Sequence, residues 1–86
     1  MPELSRFYGI VIQMYFNDHA PPHFHARYQD QAAQIRIDDL GMMAGKLPPR
    51  ILGLVVEWAA IHQEELLAAW AHAQASEMPE RIDPLP

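Results

Sequence analysis

The sequence predicts an α+β fold in which a small, mostly antiparallel sheet of three to four strands packs against a C-terminal long helix or helix pair. Three observations carry this. In the first half of the chain, apolar residues recur at every second position, the period of a strand with one buried face. From Ile51 to Ala73 they recur every three to four residues, the period of a helix. At 86 residues, half of them hydrophobic and a fifth charged, the chain suffices for one core and not for two. Residues 1–86 are therefore expected to form a single domain, with a β-rich half (1–47), a helical half (48–75) and an extended tail (76–86).

The elements follow in order. Tyr8, Ile10, Ile12, Met14 and Phe16 alternate along one face, so Tyr8 to Phe16 reads as a strand, with Gly9 marking a close approach or bulge. Asn17 to Pro22 is a loop stiffened by two consecutive prolines. His23–Tyr28 and Ala33–Asp38 read as a hairpin, because Phe24, Ala26 and Tyr28 alternate on one strand and Ala33, Ile35 and Ile37 on the next. Both sets must face the same core, which fixes the parity of pairing. The simplest register sets Tyr28 against Ala33, Ala26 against Ile35 and Phe24 against Ile37. On the other face it sets Arg27 against Gln34, His25 against Arg36 and His23 against Asp38. The turn around Asp30 and Gln31 lacks the glycine such turns favour.

Leu40 to Leu47 is either a short fourth strand or an irregular crossing. Pro48 and Pro49 suit a first helical turn, where a missing N–H costs nothing. One helix from there to Ala75 would be about 40 Å long at 1.5 Å per residue, which is long for this domain, so a break near His62 is expected. Trp58 and Trp70 are read as core residues closing the helix onto the sheet. Met78 to Pro86 holds three prolines and reads as an extended tail, with Ile82 and Leu85 available to dock on the core.

Composition excludes several functions. There is no cysteine, so disulfides, thiolate metal sites and cysteine nucleophiles are ruled out. No apolar run is long enough to span a membrane and no signal peptide is evident, which makes a cytoplasmic location the expectation. Eleven acidic against six basic residues give a net charge of −5. Broad nucleic-acid binding, which depends on a basic face, is not expected. Nucleophile-elbow, phosphate-loop and His-Glu-x-x-His motifs are absent.

The chemistry is concentrated in Asp18, His19, His23 and His25, within the run Asp-His-Ala-Pro-Pro-His-Phe-His. His23 and His25 are two apart on a predicted strand, so their rings share one side. Imidazoles and a carboxylate suit a divalent metal such as zinc. In the expected register Asp38 sits opposite His23 and would orient its ring. Arg27 and Arg36 share that face and suit a phosphate or carboxylate, or simply surface ion pairs. Two further readings stand beside the metal site. In one, His23 and His25 are catalytic candidates for metal-free acid–base chemistry. In the other, the cluster is solvated or structural, with Asp18 or Asn17 capping the turn.

The order of these features resembles a family of small bacterial proteins, the domain of unknown function 4160. The resemblance runs through Gly9 and its apolar strand, Asp18 to His25, Gly45-Lys46-Leu47-Pro48, Glu57-Trp58, Glu65-Leu66, Trp70 and Ile82-Asp83-Pro84-Leu85. It implies a stand-alone domain. It also implies a protein partner encoded nearby, in an arrangement suggestive of a toxin–antitoxin pair, and it assigns no catalytic residue. The expected function is a binding module with a histidine-rich polar site. The alternatives are a hydrolase or ribonuclease-like toxin, and a protein-interaction subunit.

Overall fold

A computed structural model describes residues 2–86. Five strands form one antiparallel sheet in sequence order: β1 (Glu3–Phe7), β2 (Ile10–Gln13), β3 (His23–Tyr28), β4 (Gln31–Arg36) and β5 (Met42–Gly45). Two helices follow, α1 (Pro49–Ile61) and α2 (Gln63–Gln74). The α+β class holds, with one to two more strands than the sequence reading.

The extra strand is β1. Its alternation is interrupted by a bulge between Glu3 and Ser5, which leaves Leu4 and Ser5 buried in succession and hides the period of two. Tyr8 is not in a strand. Tyr8 and Gly9 form the β1–β2 turn, both at positive φ (50° and 78°), and Tyr8 is well exposed. Two positive-φ residues match the right-handed twist of the strands they join. The β2 strand also ends earlier than expected, at Gln13, and Phe16 is partly exposed beyond it.

In the β3–β4 hairpin the parity is as expected and the register is shifted by two residues. Tyr28 pairs with Gln31, Ala26 with Ala33, Phe24 with Ile35 and His23 with Arg36. The cause is a two-residue turn, Gln29–Asp30, in which Gln29 takes positive φ (55°) without being glycine. A shift of two leaves every side chain on its expected face. Phe24, Ala26, Ala33 and Ile35 are accordingly buried together with Ile10, Ile12, Met14 and Ile37.

At β5 the chain comes back close to β4. A Cβ on Gly45 would meet the Ala32 carbonyl oxygen at 2.1 Å, and Gly45 has φ +80°. Only glycine suits such a backbone-to-backbone approach.

Pro48 opens α1 by accepting from the Leu52 amide at 2.9 Å, with Pro49 in the first turn. The expected break falls at His62. The Gln63 side chain donates to the carbonyls of Ile37 (2.8 Å) and Asp38 (3.2 Å), which anchors the start of α2. Glu64 and Glu65 occupy its first turn, where the helix dipole favours carboxylates.

Trp58 is fully buried against Phe7 and Phe24, and its indole N–H donates to the Asp83 carbonyl at 2.8 Å. Trp70 is only half-buried. The tail lies extended along β1, with the Ile82 amide donating to the Leu4 carbonyl at 2.7 Å and with Ile82 and Leu85 buried. Among the described residues, no helix is long and apolar enough to cross a membrane.

Candidate metal centre

His23 and His25 project from β3 on the face opposite Phe24 and Ala26, as strand alternation requires. The loop between β2 and β3 returns Asp18 to them. Asp18 Oδ2 lies 3.0 Å from His23 Nε2 and 3.2 Å from His25 Nε2. One ligand atom from each of the three residues falls within 4.8 Å of the other two. Metal–ligand bonds of about 2.0–2.1 Å imply ligand–ligand separations of about 2.9 Å in octahedral and about 3.3 Å in tetrahedral geometry. Both Asp18 distances fall in or beside that range.

Each group is held from behind. His23 is 3% exposed, and its Nδ1 lies 2.8 Å from the Pro21 carbonyl oxygen. Its ring lies against Trp70 of α2, with centroids 5.3 Å apart. His25 stacks on Tyr15 at 4.1 Å, the planes 10° apart. The loop is tied to the C-terminal end of α2 by three bonds. The Asn17 amide donates to the Ala73 carbonyl (3.2 Å), Asn17 Nδ2 to Ser76 Oγ (2.8 Å), and Gln74 Nε2 to the Asp18 carbonyl (2.9 Å). No local pattern announces that α2 helps to place Asp18, because the connection spans more than fifty residues of chain.

Asp18 divides its oxygens between two tasks. Oδ1 accepts from the His19 amide at 2.8 Å, the turn-capping bond, while Oδ2 faces the imidazoles. Burial pushes the Asp18 carboxyl upward. The His19 amide bond, the His25 bond and the nearby charges of His23 and His25 outweigh it and leave the group below its ordinary value.

The other expected residues separate from this group. The His19 side chain is exposed and outside the cluster; the residue contributes its amide. Asp38 does not meet His23, because the two-residue shift places Arg36 opposite His23 instead. Asp38 pairs with Arg36 (3.3 Å), which also approaches Asp39 (3.7 Å), so Arg36 is engaged on the surface. Arg27 stays on the His25 face, exposed. Two residues that the site reading missed flank His25: Gln13 on β2 and Gln34 on β4. The Oε1 of Gln13 is buried without a hydrogen-bond partner. Strand alternation was the only available signal for either.

The family model for a domain of unknown function (DUF4160) matches residues 9–71, most of the chain. The chain belongs to that family. The match spans all three residues of the cluster and most of both helices. No curated protein and no solved structure matches the chain.

Proposed function

We propose that this protein binds a divalent metal ion through Asp18 Oδ2, His23 Nε2 and His25 Nε2. The observation that carries the reading is the environment of His23. Both of its ring nitrogens, in a side chain almost fully removed from water, face oxygen acceptors: the Pro21 carbonyl and the Asp18 carboxylate. A neutral imidazole has one N–H and can satisfy only one of them. With Nδ1–H donated to Pro21, the Nε2 lone pair would point at a carboxylate oxygen, which is repulsive unless a second ring proton or a metal ion lies between them; a metal ion would serve His25 Nε2, 3.2 Å from the same oxygen, as well. A backbone carbonyl accepting from the far nitrogen is also the usual way a ligating histidine is oriented.

Two imidazoles and one carboxylate suit Zn²⁺ and related first-row ions, and three protein ligands leave at least one coordination position open. An open position makes the site one for binding or activating a further ligand, such as a water molecule. Metal-free acid–base chemistry by His23 and His25 has less support, since His23 is buried and both its nitrogens are engaged.

The test is calorimetric titration of Zn²⁺ into chelator-stripped, tag-free protein, with His23→Ala, His25→Ala and Asp18→Asn variants alongside. One equivalent bound by the wild type, and none by either folded histidine variant, is the expected result. No binding by the wild type, or unchanged stoichiometry and affinity in the histidine variants, would overturn the reading. The latter would point to His62–Glu65 or His72–Glu77, the other histidine–carboxylate contacts among the described residues.

A further inference from the structure

The extended tail is held by contacts that repeat every three residues. Its buried residues are Pro79, Ile82 and Leu85. Its carbonyls at Asp83 and Pro86, again three apart, accept from two aromatic side chains, the Trp58 indole N–H at 2.8 Å and the Tyr8 hydroxyl. Three residues per turn is the repeat of a polyproline II helix, which makes no internal hydrogen bonds and leaves its carbonyls free to accept. Pro79, Pro84 and Pro86 fix φ near the value that form needs. Aromatic side chains along an apolar groove are how proteins recognise such segments. Here Tyr8 of the β1–β2 turn and Trp58 of α1 supply them.

The groove is longer than the part that the tail fills. Beside Leu85 it continues into a cavity of about 350 Å³ lined by Tyr8, Arg50, Ile51, Leu54 and Glu57. The tail is also joined to α2 by a segment that packs on nothing: Ala75 to Met78 are all exposed, and Ser76 turns at positive φ (59°). The Arg81–Glu3 ion pair lies at the surface, where such pairs contribute little.

We infer that this groove binds a proline-containing extended segment of a partner protein, apolar at every third position, which displaces the tail and fills the cavity beside it. The tail is then a competitor held in cis. A short tether gives such a competitor an effective concentration on the order of millimolar. A segment with only the tail's own contacts therefore binds weakly in trans, and one that also buries apolar side chains in the cavity gains over it. The groove contains none of the three proposed metal ligands, so this inference and the metal reading fail separately.

The test is titration of a synthetic peptide, the sequence of residues 79–86 followed by a further Pro-Leu-Pro, into the whole ¹⁵N-labelled chain. The expected result is a saturable shift of the Trp58 indole N–H and of the Ile82, Asp83 and Leu85 amides as the tail is released. The peptide of residues 79–86 alone should bind about tenfold more weakly, since it leaves the cavity unfilled. The long peptide with alanine at every proline should bind about fivefold more weakly or worse. Leu85→Ala, which weakens the tail and leaves the groove unchanged, should tighten binding of the long peptide about tenfold. No saturable binding by the long peptide, equal binding by its alanine form, or no tightening in a Leu85→Ala variant that its amide spectrum shows to be folded would overturn the inference. So would a free protein that light scattering shows to be a dimer and that Leu85→Ala makes monomeric, because the tail of a second copy would then be the occupant.

Discussion

Replacing His23 with phenylalanine separates the structural from the chemical role of that ring. The substitution keeps an aromatic ring against Trp70 and His25, so little cavity is created. It deletes the bond to the Pro21 carbonyl and one of the two imidazole contacts of Asp18. A buried acceptor left without its donor costs about 1–3 kcal/mol. Asp18 retains His25 and the His19 amide, so the lower part of that range applies, about 1–2 kcal/mol. For a domain of this size that lowers Tm by about 5–15 °C. The second effect appears only with metal. At a free Zn²⁺ concentration 100 times Kd, the wild type should gain about 2.7 kcal/mol, while the variant should gain none. Circular-dichroism melts of both proteins, in chelator and in Zn²⁺, read the two effects independently. A chelator Tm within about 2 °C of the wild type would refute the hydrogen-bond argument. A full Zn²⁺-induced rise in the variant would refute the assignment of His23 as a ligand.

Three further outcomes are expected. Gly45→Ala should destabilise the protein by about 2 kcal/mol or more in urea unfolding, because positive φ and a clash with the Ala32 carbonyl act together. A loss below about 0.5 kcal/mol would show that β5 relaxes away freely. Gln74→Ala should weaken Zn²⁺ binding about tenfold while leaving the stoichiometry unchanged, as expected for a residue that positions a metal ligand. Unaltered affinity would mean that the Asp18 loop holds itself. Glu3, bonded first to Arg6 and also to Arg81, has its carboxyl held below the ordinary value. Its contribution is therefore present above the unfolded carboxyl value of 4.5 and is lost as pH falls through the lower folded value. Wild type and Glu3→Gln should differ in stability at neutral pH and converge in acid. A difference that instead grows below pH 4.5 would contradict this sign.

How much of this was legible in the sequence depended on whether the signal was local. Side-chain parity in the central hairpin needed only the alternation of Phe24, Ala26, Ala33 and Ile35. The break at His62 followed from helix length set against domain size. What failed was set by backbone conformations that residue type does not announce. Tyr8 and Gln29 take positive φ without being glycine, so residue type points to strand at the first turn and to a loop two residues longer at the second. That shift brought Arg36 rather than Asp38 to the position opposite His23. Asp18 was legible as a candidate because it is close in sequence. Its selection over Asp38 and the exclusion of His19 depend on loop geometry, which α2 fixes from far along the chain through Ala73, Gln74 and Ser76.

The proposed metal site turns on one atom, the Nε2 of His23. Long-range ¹H–¹⁵N correlation of the imidazole nitrogens, recorded before and after one equivalent of Zn²⁺, observes it directly. In the zinc-bound protein His23 is expected to be a neutral ring protonated at Nδ1, with Nε2 shifted by the metal, and Nε2 of His25 is expected to shift with it. Unchanged His23 and His25 resonances at one equivalent, or shifts confined to His19, His62 or His72, would contradict it.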